Sequence, residues 1–205
     1  MAFDRHDSKT TYLVLCGLFA ALMAVCSYIM IPLPFSPVPV NLGTLGVFLT
    51  AGLLGSKYGV LSVAVYMLLG AAGLPVFAGF QAGFGVLAGP TGGFIWGYLA
   101  AVFLIGMILD SSRMPFSPVK RAGSAVLCIA AMAAGNLICY LLGTCWFMML
   151  MGVDLWAALT ACVIPFIPGD IIKILIASWL VQRLRPLLRY SCIYVLTCIL
   201  PQVFT

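Results

Sequence analysis

A chain of 205 residues that is 64% hydrophobic and only 7% charged has too little polar surface to cover a water-soluble fold, in which about a quarter of residues are charged. Its net charge of +5 is ten Lys and Arg residues against five Asp; the basic residues are scattered beside apolar stretches, which argues against a nucleic-acid face and for a positive-inside membrane topology. The composition therefore predicts an all-α integral membrane protein, a single membrane domain over residues 1–205, with the lipid bilayer as its solvent and no nucleic acid among its partners.

Residues 1–10 form a polar tail with Arg5, His6 and Lys9. Thr11 to Ile31 reads as the first span. Its 21 residues exceed the apolar region of a signal peptide, and no cleavage site precedes a soluble mature chain. Gly17, Ala20, Ala21 and Ala24 make a small-residue strip centred on Ala20-x-x-x-Ala24. Such a strip serves packing within a bundle or docking to a second membrane protein, because small residues let helices approach closely. Pro32-Leu-Pro-Phe-Ser-Pro-Val-Pro39 is a stiff, extended connector, since proline fixes φ and removes donors.

Span 2, Val40 to Gly55, and span 3, Gly59 to Ala72, flank the short turn Ser56-Lys57-Tyr58. Both are shorter than the roughly 20 residues an unaided crossing needs, so flanking loops extend them or a cavity lies at their ends. Residues 73–93 are uncharged, aromatic and rich in glycine; nine of the 21 glycines fall between Gly70 and Gly97. Span 4 covers Phe94 to Leu109, and a basic loop follows with Arg113, Lys120 and Arg121. Span 5, Ala122 to Met151, carries Asn136 and Tyr140 near its middle. A connector with Asp154, Pro165 and Pro168 leads to span 6, Gly169 to Leu184, closed by Arg183, Arg185 and Arg189. The bundle thus occupies residues 11–185, and 186–205 is an apolar C-terminal tail too short to span.

Six spans place both termini on one side. Nine of the ten basic residues fall in the N-terminal tail, loop 2–3, loop 4–5 and the C-terminal region, so both termini are expected on the cytoplasmic side of the cytoplasmic membrane. The exception is Lys173.

Catalysis finds little support. The only histidine is His6 and there is no glutamate, so an intramembrane Ser-His dyad, an H-E-x-x-H zinc site and paired carboxylates are missing. No phosphate-binding loop occurs, since Gly55-Ser56-Lys57 lacks the upstream glycine spacing. Cys16, Cys26, Cys128, Cys139 and Cys145 lie inside spans and Cys162 just before one, where thiols behave as small hydrophobes. Cys192 and Cys198 lie in the tail. No cofactor or metal is expected, and a membrane enzyme or channel is the weaker reading.

The sharpest signal is Pro165-Phe-Ile-Pro-Gly-Asp-Ile-Ile-Lys173. Pro168 suits a helix start, and Asp170 then sits in a first turn that favours an anion, so plain capping is one reading. Lys173 opposes the same dipole. A snorkelling interfacial lysine is the bland alternative. The functional one is a receptor in which the ammonium and free backbone N–H groups attract a carboxylate while Asp170 accepts N–H donors from the ligand. Gly89-Pro-Thr-Gly-Gly93, with Thr91, Gly92 and Gly93, is a turn whose N–H groups can face that ligand, with Gln81 as a further polar contact. Phe77, Phe80 and Phe84 can wall it. Irregular backbone at membrane depth is tolerated where protein buries it or it lines a cavity. Asn136 serves an interhelical hydrogen bond or the ligand.

Pro32–Pro39, Gly73-Leu-Pro-Val-Phe-Ala-Gly79 with Gly89-Pro-Thr-Gly-Gly93, Gly135-Asn-Leu-Ile-Cys-Tyr-Leu-Leu-Gly143 with Trp146, and Pro168-Gly-Asp-Ile-Ile-Lys173 together resemble the BioY family. These are the biotin-specific substrate-binding (S) components of energy-coupling-factor (ECF) transporters. The resemblance covers about residues 11–185. It implies a six-helix S-component bundle with an outward-facing pocket, biotin as the transported ligand and biotin uptake as the function, with a different vitamin or small carboxylate as the alternative. It implies that Asp170 and Lys173 serve the ligand, and that Ala20 and Ala24 dock a transmembrane T component. ATP hydrolysis is then left to separate ATPase subunits. Family members often carry tyrosine after Gly-Pro-Thr-Gly-Gly; here Phe94 stands there, so that hydroxyl contact is absent or falls to Tyr98 or Tyr140.

Overall fold

The computed structural model describes residues 5–31, 38–112 and 121–198, and side chains over 10–31, 38–112 and 123–185. Residues 32–37 of the proline connector, the side chains of Arg5, Lys9, Arg113, Lys120, Arg121 and Arg189, and those of Cys192 and Cys198 lie outside the described residues.

The elements are α1 (Arg5–Tyr28), β1 (Met30–Ile31), β2 (Val40–Asn41), α2 (Gly43–Ala71), a 3₁₀ turn (Ala78–Phe80), α3 (Phe84–Ala88), α4 (Gly92–Ser111), α5 (Arg121–Met151), α6 (Leu155–Cys162) and α7 (Ile167–Cys198). Among the described residues, α1, α2, α4 and α5 are long and apolar enough to cross a membrane. A fifth crossing is added if α6 and the part of α7 up to Arg185, bent by 50° at a short break, count as one.

Several boundaries differ from the sequence reading. The polar residues 5–10 are already helical, and the first helix stops at Tyr28 rather than Ile31. Met30–Ile31 and Val40–Asn41 instead pair antiparallel, Met30 with Asn41 and Ile31 with Val40, tying the two ends of the proline connector together. The connector before Pro165 contains a helix, α6, begun at Asp154 in extended backbone. Nor does α7 end at Leu184; its backbone stays helical to Cys198, so the tail from 186 continues a helix rather than starting a separate segment.

The stretch called α2 is broken at Gly55, whose φ of 75° and ψ of −169° lie outside helical space. The two halves run back along each other. Ser27 of α1 lies 3.0 Å from the Tyr66 hydroxyl, and its Oγ is 3.2 Å from where a Cβ on Gly43 would stand. Both ends of α2 thus meet one residue of α1. A Cβ on Gly59 would be 3.5 Å from the Thr50 carbonyl, as expected when the second half folds against the first. Asp110 at the end of α4 holds the reversal: the Ser56 N–H donates to it at 2.9 Å and the Ser56 hydroxyl at 3.0 Å. Arg185 of α7 donates to its other oxygen at 3.2 Å. A Cβ on Gly55 would sit 2.7 Å from that carboxylate, and the conformation is essentially restricted to glycine. Gly55→Ala is therefore expected to destabilise the fold by about 1–3 kcal/mol. A thermal melt in detergent reads this, at roughly 2–4 °C per kcal/mol; an unchanged midpoint contradicts the strained reversal.

The core lies between α1, α2, α4, α5 and α7, around Met23, Phe48, Tyr66, Val102, Ile105, Met132 and Val181, all buried. Glycines set the close approaches: a Cβ on Gly97 would lie 3.0 Å from Cys139 Sγ, and one on Gly135 2.5 Å from Ile105, so α4 and α5 pack backbone to backbone. A smaller cluster of Val38, Phe147, Ala158, Cys162 and Phe166 seats α6 against α5.

Candidate functional site

Near the start of α7, α5 and the beginning of α2 meet around Asp170. The bend after α6 is closed by hydrogen bonds from Phe166 N–H to the Val163 carbonyl at 3.0 Å and from Asp170 N–H to the Phe166 carbonyl at 2.9 Å. This aims the first turn of α7 into the protein. Asp170 is 2% exposed and Lys173 6%, so neither snorkels.

One helical turn brings Lys173 Nζ to 2.8 Å from Asp170 Oδ1. The ammonium also donates to the Asn41 carbonyl at 2.6 Å and to the Thr44 hydroxyl at 3.1 Å. Its three donors thus have three protein acceptors. The Thr44 hydroxyl in turn lies 3.3 Å from Asp170 Oδ1. The other carboxylate oxygen accepts from Asn136 Nδ2 at 3.1 Å and from the Tyr140 hydroxyl in a short bond. Asn136 and Tyr140 reach it together because they are four residues apart on one face of α5. The result is a buried, hydrogen-bonded ion pair with no net charge, the form in which charges survive in a low-dielectric interior.

This cluster forms one wall of a cavity of about 710 Å³, within the usual range of small-molecule sites (about 300–1,000 Å³). Asp170, Lys173 and Tyr140 line it, with Gln81 and Thr91 from the glycine-rich segment. Gln81 is exposed and so marks the rim. Phe77 lines the cavity too, with its ring edge on Tyr66. Phe94 lines it as an apolar side chain, while Tyr98 supplies a hydroxyl nearby.

Other expected site residues fall elsewhere. Phe80 is 65% exposed and stacks on Tyr28 with ring centroids 4.4 Å apart; Phe84 is also exposed. The Gly92 N–H is spent on the Gly89 carbonyl at 2.9 Å. A Cβ on Gly92 would meet the Leu87 carbonyl at 2.0 Å and one on Gly93 the Trp146 side chain at 2.3 Å. Both glycines are there for packing, Gly92 against α3 and Gly93 against α5, where Trp146 Nε1 donates to the Gly89 carbonyl at 3.0 Å. Asn136 acts through Asp170 rather than on the cavity wall. Sequence reasoning passed over Ser27, Asn41, Thr44 and Tyr66 as cavity residues; each is a single polar residue on a different segment, joined to the others by no spacing.

The small-residue strip of α1 divides in two. Ala20 and Ala24 are 2% and 7% exposed and belong to the core, so they are not available to a partner. Gly17 and Ala21 face outward, and nothing lies within 4 Å of a Cβ built on Gly17.

The BioY family model matches residues 4–190. The chain belongs to the BioY family. Among BioY relatives, the biotin transporter BioY of Thermotoga maritima is 40% identical over 176 residues, 85% of this chain and 96% of that protein. The biotin transporter BioY of Rhodobacter capsulatus is 40% identical over 174 residues, 80% of this chain and 87% of that one. The BioY fold is also matched by a solved structure, described as the S-component for biotin from an ECF-type ABC transporter. It superposes with a TM-score of 0.79 at 30% identity, covering 90% of this chain and 95% of that one. These relatives are named as transporters, and a multi-pass membrane location follows from the family and the apolar helices together.

Proposed function

We propose that this chain is the biotin-binding component of an ECF-type transporter and takes biotin up across the cytoplasmic membrane. It works with a transmembrane T component and ATPase subunits and carries no reaction of its own. The observation that carries this reading is the cavity ending on the buried Asp170–Lys173 pair, in a chain 40% identical to proteins named biotin transporters.

The same reading assigns six crossings, with the two halves of α2 counted separately; their folding back at Gly55 supports this. At 1.5 Å per residue, Lys173 and Arg185 lie about 18 Å apart along α7. Arg185 sits by Asp110 and Ser56, next to Lys57, at the end that positive-inside bias makes cytoplasmic. The cavity then opens outward and both termini lie inside.

The ion pair decides how the ligand sits. A ligand carboxylate placed on Lys173 would leave a buried site with one net negative charge, since Asp170 already neutralises the ammonium. A cyclic urea adds no charge. Its oxygen accepts from Lys173 and its N–H groups donate to Asp170 or to neighbouring hydroxyls, at the expense of bonds the protein makes to itself. Biotin therefore enters urea first, its apolar ring and chain lie against Phe77 and Phe94, and its acid ends at the rim near Gln81 and Thr91. This reverses the orientation expected from the sequence, where the lysine's protein partners were invisible.

The direct test is to purify the protein in mild detergent and identify its small-molecule contents by mass. Bound biotin in near-stoichiometric amount is expected. A protein that holds none and takes up none on titration overturns the assignment.

A further inference from the structure

Ser27 and Tyr66 are each 2% exposed, both line the cavity, and their hydroxyls lie 3.0 Å apart. Two hydroxyls carry two O–H protons, and their mutual bond uses one. Among the described residues neither hydroxyl has a further hydrogen-bond partner, so one buried donor is left over on the cavity side. Tyr66 cannot swing away from Ser27. Phe77 is set edge-on against its ring at 5.5 Å and 86°. Phe77 in turn occupies the space that a side chain at position 70 would need, since a Cβ on Gly70 would fall 2.1 Å from it.

The pair flanks the same end of the cavity as the ion pair. A Cβ on Gly43 would lie 3.2 Å from Ser27 Oγ, 2.9 Å from Asn41 Oδ1 and 3.1 Å from the Tyr98 hydroxyl. Glycine here leaves the polar groups of three segments converging on one point. The Gly43 N–H fixes the Asn41 side chain at 2.8 Å, and the Asn41 carbonyl receives Lys173. We propose that Ser27 and Tyr66 act as a hydroxyl dyad that donates one hydrogen bond to the oxygen of the ligand's head group, and so set the preference for a strong oxygen acceptor at that position. This rests on the urea-first reading above.

The probe pair is biotin and 2-thiobiotin, in which sulfur replaces the urea oxygen. The thione keeps the charge, the N–H donors and nearly the shape, but accepts hydrogen bonds weakly. Both are titrated into wild-type protein and into Ser27→Ala/Tyr66→Phe. The double variant is used because either hydroxyl alone keeps one O–H. It is expected to lose roughly tenfold in biotin affinity, the worth of one hydrogen bond, while 2-thiobiotin changes by less than about threefold. Ser27→Ala alone keeps the Tyr66 O–H and its ring packing but removes the hydroxyl that holds that O–H in place; it is expected to show the same split at smaller size, and it carries the test if the double variant fails to fold. Equal losses for both ligands make the dyad structural and overturn the proposal, as does an unchanged biotin affinity. Wild-type protein that binds no biotin sinks the functional reading and the dyad with it; wild-type binding beside an indifferent variant sinks the dyad alone.

Discussion

Lys173→Met is expected to weaken biotin binding by about 2–4 kcal/mol, roughly 30- to 1,000-fold, as seen when one partner of a buried, hydrogen-bonded charge pair is removed. The variant loses the donor to the urea oxygen and leaves Asp170 with no counter-charge. Asp170→Ala does the converse, stranding a buried ammonium, and is expected to cost about 3–5 kcal/mol of stability. The two effects separate in the double variant Asp170→Leu/Lys173→Met. Replacing a buried ion pair by apolar side chains of similar size is often neutral or stabilising, although Asn136 and Tyr140 lose their acceptor, so this protein should lose less stability than Asp170→Ala while binding no biotin. Calorimetric titration and a thermal melt read the two quantities. Wild-type affinity in Lys173→Met would remove the lysine from the site.

The second large effect concerns the face of α1. Gly17→Trp/Ala21→Trp is expected to leave biotin affinity unchanged and to abolish uptake in cells. The strip is open to the bilayer, flanked by exposed Leu13, Val14, Leu18 and Val25, and small residues at such a surface allow a partner helix to approach closely. Ala20→Trp and Ala24→Trp are expected to behave differently. Both positions are packed in the core, where overpacking costs about 1–3 kcal/mol or more, so these variants lose folded protein before they lose docking. Normal uptake by Gly17→Trp/Ala21→Trp would move the partner surface elsewhere, and stable, binding-competent Ala20→Trp protein would contradict the burial of that face.

Much of this was legible in the residues. An ammonium at the start of an apolar helix, three positions after an aspartate, has few explanations in a bilayer, and Asn136 and Tyr140 stood out as polar groups at mid-span. Their convergence on one carboxylate is tertiary and follows from how α5 and α7 pack. What sequence could not supply was the set of acceptors that occupy Lys173, because Asn41 and Thr44 lie more than 125 positions away. Without them the lysine looked like a free cation awaiting an acid. In the apolar part of α1 every face is apolar, so periodicity cannot tell the core face from the lipid face, and the buried Ala20 and Ala24 lie one step round the helix from the exposed Gly17 and Ala21. Gly92 and Gly93 show the same limit: a glycine needed for close packing and a glycine needed to approach a ligand look identical in one sequence.

Which end of biotin meets the buried pair is decided by one competition titration. Wild-type protein is loaded with labelled biotin and challenged with the uncharged amide of biotin and with octanoate, which has the acid and chain but no urea. The urea-first reading predicts that the amide displaces the label nearly as well as biotin itself and that octanoate does not. Displacement by octanoate together with failure of the amide would place the acid on Lys173 and contradict it.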